Sequence, residues 1–298
     1  MSFTCRGLGT ALATPFLPDG ALDATGLVRL VQHVRGGGSD FLVVLGSTGE
    51  AAMLDERERD AAVVAVLEHA GRTPVFVGTG APSTRQAVAW TRRARELGAA
   101  GALVVVPPYT KPTQNGLVAH FRAVAEAVPE LPVILYNVPG RTAANLLPAT
   151  LALLWQLPNA VAVKESSGDL QQIARIGAEL PPGKTLLAGD DPLAVPSIAV
   201  GAQGLVSVAG NAVPALMRDL VSTARAGDFE RARAQHAALQ PLFDALAAEP
   251  NPIPIKTALA LLGICEPTMR LPLQAATAAT RDRLQTAMAD LRSEVVEG

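Results

Sequence analysis

Ala160-Val161-Ala162-Val163-Lys164-Glu165-Ser166-Ser167-Gly168-Asp169 reads as a short apolar strand that delivers one lysine and then breaks into a polar turn. Four small or β-branched apolar residues precede Lys164, which places its Cα where a buried strand leaves the core. A lysine in that position has two readings. It can snorkel its ammonium past the strand end into solvent. Alternatively it is a Schiff-base nucleophile, whose amine must be partly neutral, and apolar surroundings disfavour the charged form. The stretch alone leaves both open, and the rest of the chain has to decide.

The same sequence pattern, a strand-length apolar run followed by a helix-period segment, repeats through the first three quarters of the chain. Apolar runs at residues 7–13, 41–45, 75–77, 102–106, 133–137, 160–164, 185–188 and 204–208 recur every ~20 to 35 residues, the repeat of a (β/α)8 barrel. Leu27, Leu30, Val31 and Val34 form a helical stripe that Gly36-Gly37-Gly38 ends. Asp55 with Glu58 predicts a capping box, Asp169 can cap the helix after Lys164, and Ser83 or Thr84 the one before Gly98. After Gly227 the strands stop, and residues 228–248, 253–262 and 275–296 read as three helices joined by proline-containing turns. The expectation is an α/β fold: a TIM barrel over residues 1–226 and a C-terminal three-helix domain over 227–298, packed on the barrel or on a neighbouring subunit.

Composition narrows the function classes. With 17% charged residues, a net charge of −2 and no basic stripe, the chain does not have the footprint of a nucleic-acid binder. Its longest apolar runs are of strand length, and residues 1–7 lack a charged region followed by an apolar segment, so a cytoplasmic location is expected. Cys5 and Cys265 sit at opposite ends without metal-ligand spacing, and both are expected to be free thiols. His33, His69, His120 and His236 are scattered over helix-period segments, which argues against a metal site.

In such barrels the C-terminal strand ends build the active site. Those ends carry Gly46-Ser47-Thr48-Gly49-Glu50, Tyr109, Tyr136, Arg141, Lys164, Gly189-Asp190-Asp191 and Ser207. Ser47 and Thr48 offer hydroxyls and turn amides suited to a carboxylate, although a tight turn with a helix cap fits them equally well. Tyr109 and Tyr136 are the two tyrosines of the chain, and both fall at strand ends beside Lys164. A phenol there can shuttle protons to and from a carbinolamine. Arg141 can grip a carboxylate in bidentate fashion or pair with an acidic neighbour at the surface. Asp190 and Asp191 make the loop where barrels often hold phosphate acidic, which argues against a phosphorylated substrate. The residues by themselves propose a Schiff-base aldolase or lyase acting on small oxo-acids without a metal or cofactor.

Gly46-Ser47-Thr48-Gly49-Glu50, Tyr136-Asn137-Val138-Pro139-Gly140-Arg141-Thr142, Val163 to Asp169, Gly189-Asp190-Asp191 and Asn251-Pro252-Ile253-Pro254-Ile255-Lys256 together resemble the dihydrodipicolinate synthase branch of the pyruvate-dependent N-acetylneuraminate lyase superfamily. The resemblance covers essentially the whole chain. It implies that Lys164 forms the imine with pyruvate, that Tyr136 transfers protons, and that Thr48 links Tyr136 to Tyr109, which in this family reaches in from a neighbouring subunit. It further implies that Ser47 and Thr48 hold the pyruvate carboxylate, that Arg141 meets L-aspartate 4-semialdehyde at the site entrance, and that Gly189 and Val206 line the pocket. A (β/α)8 barrel with a helical C-terminal domain, usually a homotetramer, comes with the resemblance; a dimer remains open.

Two departures matter. Ser47 stands where the synthase branch more often has threonine, and the serine form also occurs among the neuraminate lyases, which keeps a sugar-acid aldolase as the alternative. The Val138-Pro139-Gly140-Arg141-Thr142 run favours the synthase. The positions that match the allosteric pocket of lysine-inhibited members are Ala51, Glu56, Arg59, Pro82, Gln86 and Pro108, so weak or absent inhibition by L-lysine is expected.

Overall fold

Eight short strands, each apolar on both faces, need cover on both, and a closed sheet wrapped in helices supplies it while leaving no unpaired strand edge. The computed structural model describes residues 5–297. Residues 1–4, on which part of the N-terminal reading rests, lie outside the described residues. The strands are β1 (Gly7–Ala11), β2 (Phe41–Val44), β3 (Val75–Gly78), β4 (Gly101–Val105), β5 (Val133–Asn137), β6 (Ala160–Glu165), β7 (Thr185–Ala188) and β8 (Gly204–Ser207). They pair in chain order, all parallel, and β8 closes on β1 from Gly7↔Gly204 to Thr10↔Ser207. The helices are α1 (Ala24–Gly36), α2 (Glu56–His69), α3 (Thr84–Glu96), α4 (Gln114–Glu126), α5 (Pro139–Thr142), α6 (Pro148–Leu154), α7 (Leu170–Ala178), α8 (Ala194–Ala199), α9 (Pro214–Arg225), α10 (Phe229–Ala247), α11 (Ile253–Leu261) and α12 (Ala278–Glu297).

The barrel interior follows from strand alternation. Ala162, Ile134, Tyr136, Leu103 and Val206 point inward with Phe41 and Phe76, while Val163 and Leu135 join the outer shell. Phe41 and Phe76 meet edge to face, ring centroids 5.7 Å apart, and fill the N-terminal half of the barrel. Glycine makes room for them: a Cβ at Gly9 or Gly101 would collide with the Phe41 or Phe76 ring. The tail helices dock on their own barrel, since Leu239, Phe243, Leu284 and Leu291 share one buried cluster with Leu205 and Ala209.

Local signals held where the side chain competes for the first helical turn. Asp55 and Glu58 form the capping box reciprocally, and Asp169 caps α7 through the amides of Gln171 and Gln172. The cap expected before α3 differs. Ser83 occupies the N-cap position without a side-chain bond, and Thr84 instead pairs its hydroxyl with His120 Nδ1 at 2.9 Å. The tertiary partner wins because it satisfies an imidazole that is only 3% exposed.

Burial pulls His120 down from 6.5 to about 4. As the pH falls below 6.5 the unfolded chain takes up a proton that the folded chain refuses until about 4, so stability is lost across that window. The loss amounts to about 3 kcal/mol in all. Urea unfolding at pH 7 and pH 4.5 is expected to show a drop that is smaller by about 2 kcal/mol in His120→Gln than in wild type. Equal drops would refute this assignment.

Candidate active site

Strand register sets the centre of the site. Tyr136 on β5 pairs with Lys164 on β6, and both side chains enter the barrel mouth. Lys164 Nζ lies 4.3 Å from the centroid of the Tyr136 ring, and each residue is 5% exposed. The snorkelling reading of Lys164 therefore fails: its head stays in the barrel. Gly189, at the end of β7, has to be glycine. A Cβ there would strike Ser166 Oγ and stand 2.9 Å from Lys164 Cε, blocking the lysine stem. Ser166 Oγ itself is buried with no hydrogen-bond partner among the described residues. Val206, fully buried on β8, walls the same interior.

The turn after β2 is a single 3-10 turn, Ser47–Gly49, closed by Gly49 N–H to Gly46 O at 3.0 Å and Glu50 N–H to Ser47 O at 3.2 Å. Like any first helical turn, it leaves the Ser47 and Thr48 amides without an intrahelical partner, which suits them to an anion. Two contacts hold the turn. Thr14 Oγ1 donates to Gly49 O at 2.7 Å, and Asn251 Nδ2 donates to Thr48 Oγ1 at 3.0 Å. Glu50, which ends the turn, adopts a left-handed conformation at φ 49° that an L-residue occupies only when its surroundings fix it. Here Lys256 Nζ binds Glu50 Oε1 at 2.7 Å, with side chains 0% and 1% exposed.

Arg141 sits in α5 at the rim, where its guanidinium donates to Asn251 O at 3.1 Å and remains exposed. Asp190 ties the charges of the mouth together. Burial raises its carboxyl above the ordinary range, and the positive charges of Lys164 and Arg141 partly pull it back. Asp191 belongs elsewhere: buried, it accepts from Ser207 Oγ at 2.5 Å and from the Val208 and Ala209 amides at 3.0 and 2.8 Å. It fastens β7 to the loop after β8. Burial raises its carboxyl as well, against those hydrogen bonds.

The structure thus gathers Lys164, Tyr136, Thr48, Ser47, Gly189, Val206 and Arg141 at one end of one barrel. Tyr109 stands apart. It is 91% exposed at φ 73° and projects away from its own barrel, so within one chain Thr48 is partnered by Asn251 and not by a second tyrosine. Asn251 is the participant that sequence reasoning passed over. Its signal was the Asn251-Pro252-Ile253-Pro254 motif, legible only as a turn, because nothing local says that the turn ends against Thr48.

Comparison with known proteins bears on this arrangement. Residues 4–291 match the model of the family described as "Dihydrodipicolinate synthetase family". The chain is 46% identical over 283 residues to 4-hydroxy-tetrahydrodipicolinate synthase of Thermosynechococcus vestitus, covering 95% of this chain and 96% of that one. The crystal structure of dihydrodipicolinate synthase from Aquifex aeolicus superposes with a TM-score of 0.93 at 40% identity, covering 96% and 98% of the two chains. The 4-hydroxy-tetrahydrodipicolinate synthase of Methylacidiphilum fumariolicum gives 0.95 at 35% identity, covering 99% and 98%. With near-complete overlap in both sequence and fold, the chain belongs to the dihydrodipicolinate synthetase family.

Proposed function

We infer that this chain catalyses the 4-hydroxy-tetrahydrodipicolinate synthase reaction, joining pyruvate to L-aspartate 4-semialdehyde through an imine on Lys164. The observation that carries the reading is a buried lysine 4.3 Å from a buried tyrosine ring inside the barrel mouth, beside an anion-ready turn and below a rim arginine. Lys164 attacks the pyruvate carbonyl, and loss of water from the carbinolamine gives the imine while Ser47 and Thr48 hold the carboxylate. Tyr136 removes a proton from the pyruvate methyl to give the enamine. The enamine carbon attacks the aldehyde, whose oxygen takes up a proton and becomes the hydroxyl of the product. The amine of the acceptor then adds to the imine carbon, closing the ring and returning Lys164 as the free amine.

We assign Arg141 to the acceptor. Among the described residues its guanidinium makes one hydrogen bond, to a backbone carbonyl, leaving donors for a carboxylate. Arg141→Ala is expected to raise the KM for L-aspartate 4-semialdehyde by about tenfold or more while the KM for pyruvate stays within about threefold. A panel that sets this pair of substrates beside N-acetylneuraminate and 2-keto-3-deoxygluconate tests the activity itself. Faster turnover of either sugar acid would replace the reading with a sugar-acid aldolase.

Self-association completes the proposal. An exposed tyrosine held at positive φ, next to Lys111 at φ 46°, is a strained aromatic prong without a function on its own chain. We assign it to the site of a neighbouring copy in a homotetramer, or in a dimer as the smaller assembly. We divide the chain into a barrel over 1–226 and a helical domain over 227–298, with Gly227 at φ 82° making the turn between them. Among the described residues no helix is long and apolar enough to cross a membrane, and we place the enzyme in the cytoplasm.

L-Lysine is expected to inhibit weakly or not at all. Arg59, at one of the positions matching the allosteric pocket, is already spent inside the subunit: it stacks 3.9 Å from the Trp90 ring and donates to Ala51 O and Gly78 O. Half-maximal inhibition at submillimolar lysine in a steady-state assay would contradict this.

A further inference from the structure

Thr48 carries one hydroxyl hydrogen, and in the proposed reaction, where the family resemblance implies that Thr48 passes protons to Tyr136, that hydrogen matters. A hydroxyl donates once and accepts twice. The structure shows what occupies one of its acceptor positions: Asn251 Nδ2, at 3.0 Å, on a hydroxyl residue only 3% exposed. Asn251 is itself held in place. Its backbone oxygen accepts from Arg141 at 3.1 Å, Ile253 N–H closes back on Pro250 O at 3.0 Å, and Lys256, at the end of the same segment, pairs with Glu50 at 2.7 Å. Glu50 lies two residues beyond Thr48. The segment from Asn251 to Lys256 therefore grips the cradle turn at two points, once from each side of Gly49.

Polarity gives this contact its meaning. An amide N–H can only donate, so Thr48 Oγ1 must accept from it and its own hydrogen is turned elsewhere. A carboxylate in the same place could only accept, and the Thr48 hydrogen would turn onto it. We propose that Asn251 is a positioning residue for proton transfer, which by donating to Thr48 Oγ1 keeps the Thr48 hydrogen free to be given to the Tyr136 oxygen. A hydroxyl that donates to a phenolate stabilises it, so Tyr136 is helped to take part as a base when the enamine forms. This role rests on the synthase reading above and adds to it a residue from beyond the barrel. The side chain acts on Thr48, whereas the tie to Arg141 runs through the backbone and survives substitution.

The test compares two variants of nearly opposite character. Asn251→Asp keeps size and shape but reverses the hydrogen bond; Asn251→Ala removes the contact and leaves the hydroxyl to rotate. Expected are a kcat about 100-fold below wild type for Asn251→Asp and about tenfold below for Asn251→Ala. The KM for L-aspartate 4-semialdehyde should stay within about threefold in both, since Arg141 keeps its backbone anchor. A role confined to packing gives the opposite order, with the isosteric aspartate milder than alanine, and that order overturns the proposal, as does an unchanged kcat in Asn251→Asp. Circular dichroism and prolonged borohydride trapping of the pyruvate imine report whether each variant is folded with an assembled site. Should the aspartate variant be unfolded, Asn251→Ser, which keeps a donor in a smaller side chain, is expected between alanine and wild type. A serine variant at or below alanine then overturns the proposal. If wild type itself traps pyruvate but does not consume L-aspartate 4-semialdehyde, the synthase reading fails instead, and the order of the variants is read with the acceptor it does use.

Discussion

Lys164→Met is expected to lose turnover by about 10^4-fold or more and to acquire no adduct when pyruvate and borohydride are added together. Wild type should gain one pyruvate-sized increment in intact mass, located on the peptide that holds Lys164. The specificity of this result follows from the placement of the chain's other lysines at 111, 184 and 256. Lys184 donates to Leu157 O at 2.9 Å and Ala160 O at 2.7 Å, around the start of β6, at the opposite end of the strand from Lys164. Lys256 is sealed in an ion pair. Lys111 is exposed at the surface. Methionine nearly matches the lysine stem in length, so the variant should fold, and an unchanged thermal transition would separate lost chemistry from lost structure. An adduct that persists in Lys164→Met would move the imine to another lysine and remove the basis of the mechanism.

Lys256→Met is expected to be the most destabilising single change outside the apolar core. It leaves the Glu50 carboxylate 1% exposed and deprived of its counter-charge, a situation that costs about 3–5 kcal/mol. Burial pushes the Lys256 ammonium below its ordinary value, and Glu50 raises it again, so each charge is tolerated there only because of the other. Phe16 deepens the coupling: the Lys256 ammonium lies 4.1 Å from its ring centroid and the Arg270 guanidinium 4.3 Å. The Arg270 backbone N–H also donates to Glu50 Oε2 at 3.3 Å. The double variant Glu50→Gln/Lys256→Met removes both charges and should regain at least half of the loss in urea unfolding, because no ion is then left unpaired in the interior. A single variant within about 1 kcal/mol of wild type would show that water reaches this pair and that it does not lock the turn.

The second prediction also explains why the tail is present at all. Helices that merely covered barrel surface would need apolar faces and nothing more. The segment that opens α11 instead sends Asn251 to Thr48 and Lys256 to Glu50, on both sides of Gly49 in the Ser47–Gly49 turn. The left-handed conformation of Glu50 is thus held from another part of the chain.

Sequence alone determined the elements that local chemistry dictates. The eight apolar runs became eight strands because a backbone that cannot be hydrated must pair, and short parallel strands joined by helices close into a barrel. Asp55 and Asp169 capped their helices because a carboxylate three residues from free amides needs no distant partner. Lys164, Tyr136, Ser47, Thr48 and Arg141 could be selected since a barrel brings its C-terminal strand ends to one mouth whatever the loops do. Only the tertiary structure decided the contacts between segments far apart in the chain. It sent the Lys164 head into the barrel past Gly189, separated Asp190 in the mouth from Asp191 in the frame, turned Thr84 from a helix cap to a partner of His120, and placed Asn251 on Thr48. Such hydrogen bonds have no periodicity or neighbouring residue to announce them. They are fixed when packing brings two buried polar groups within reach and neither has water left to turn to.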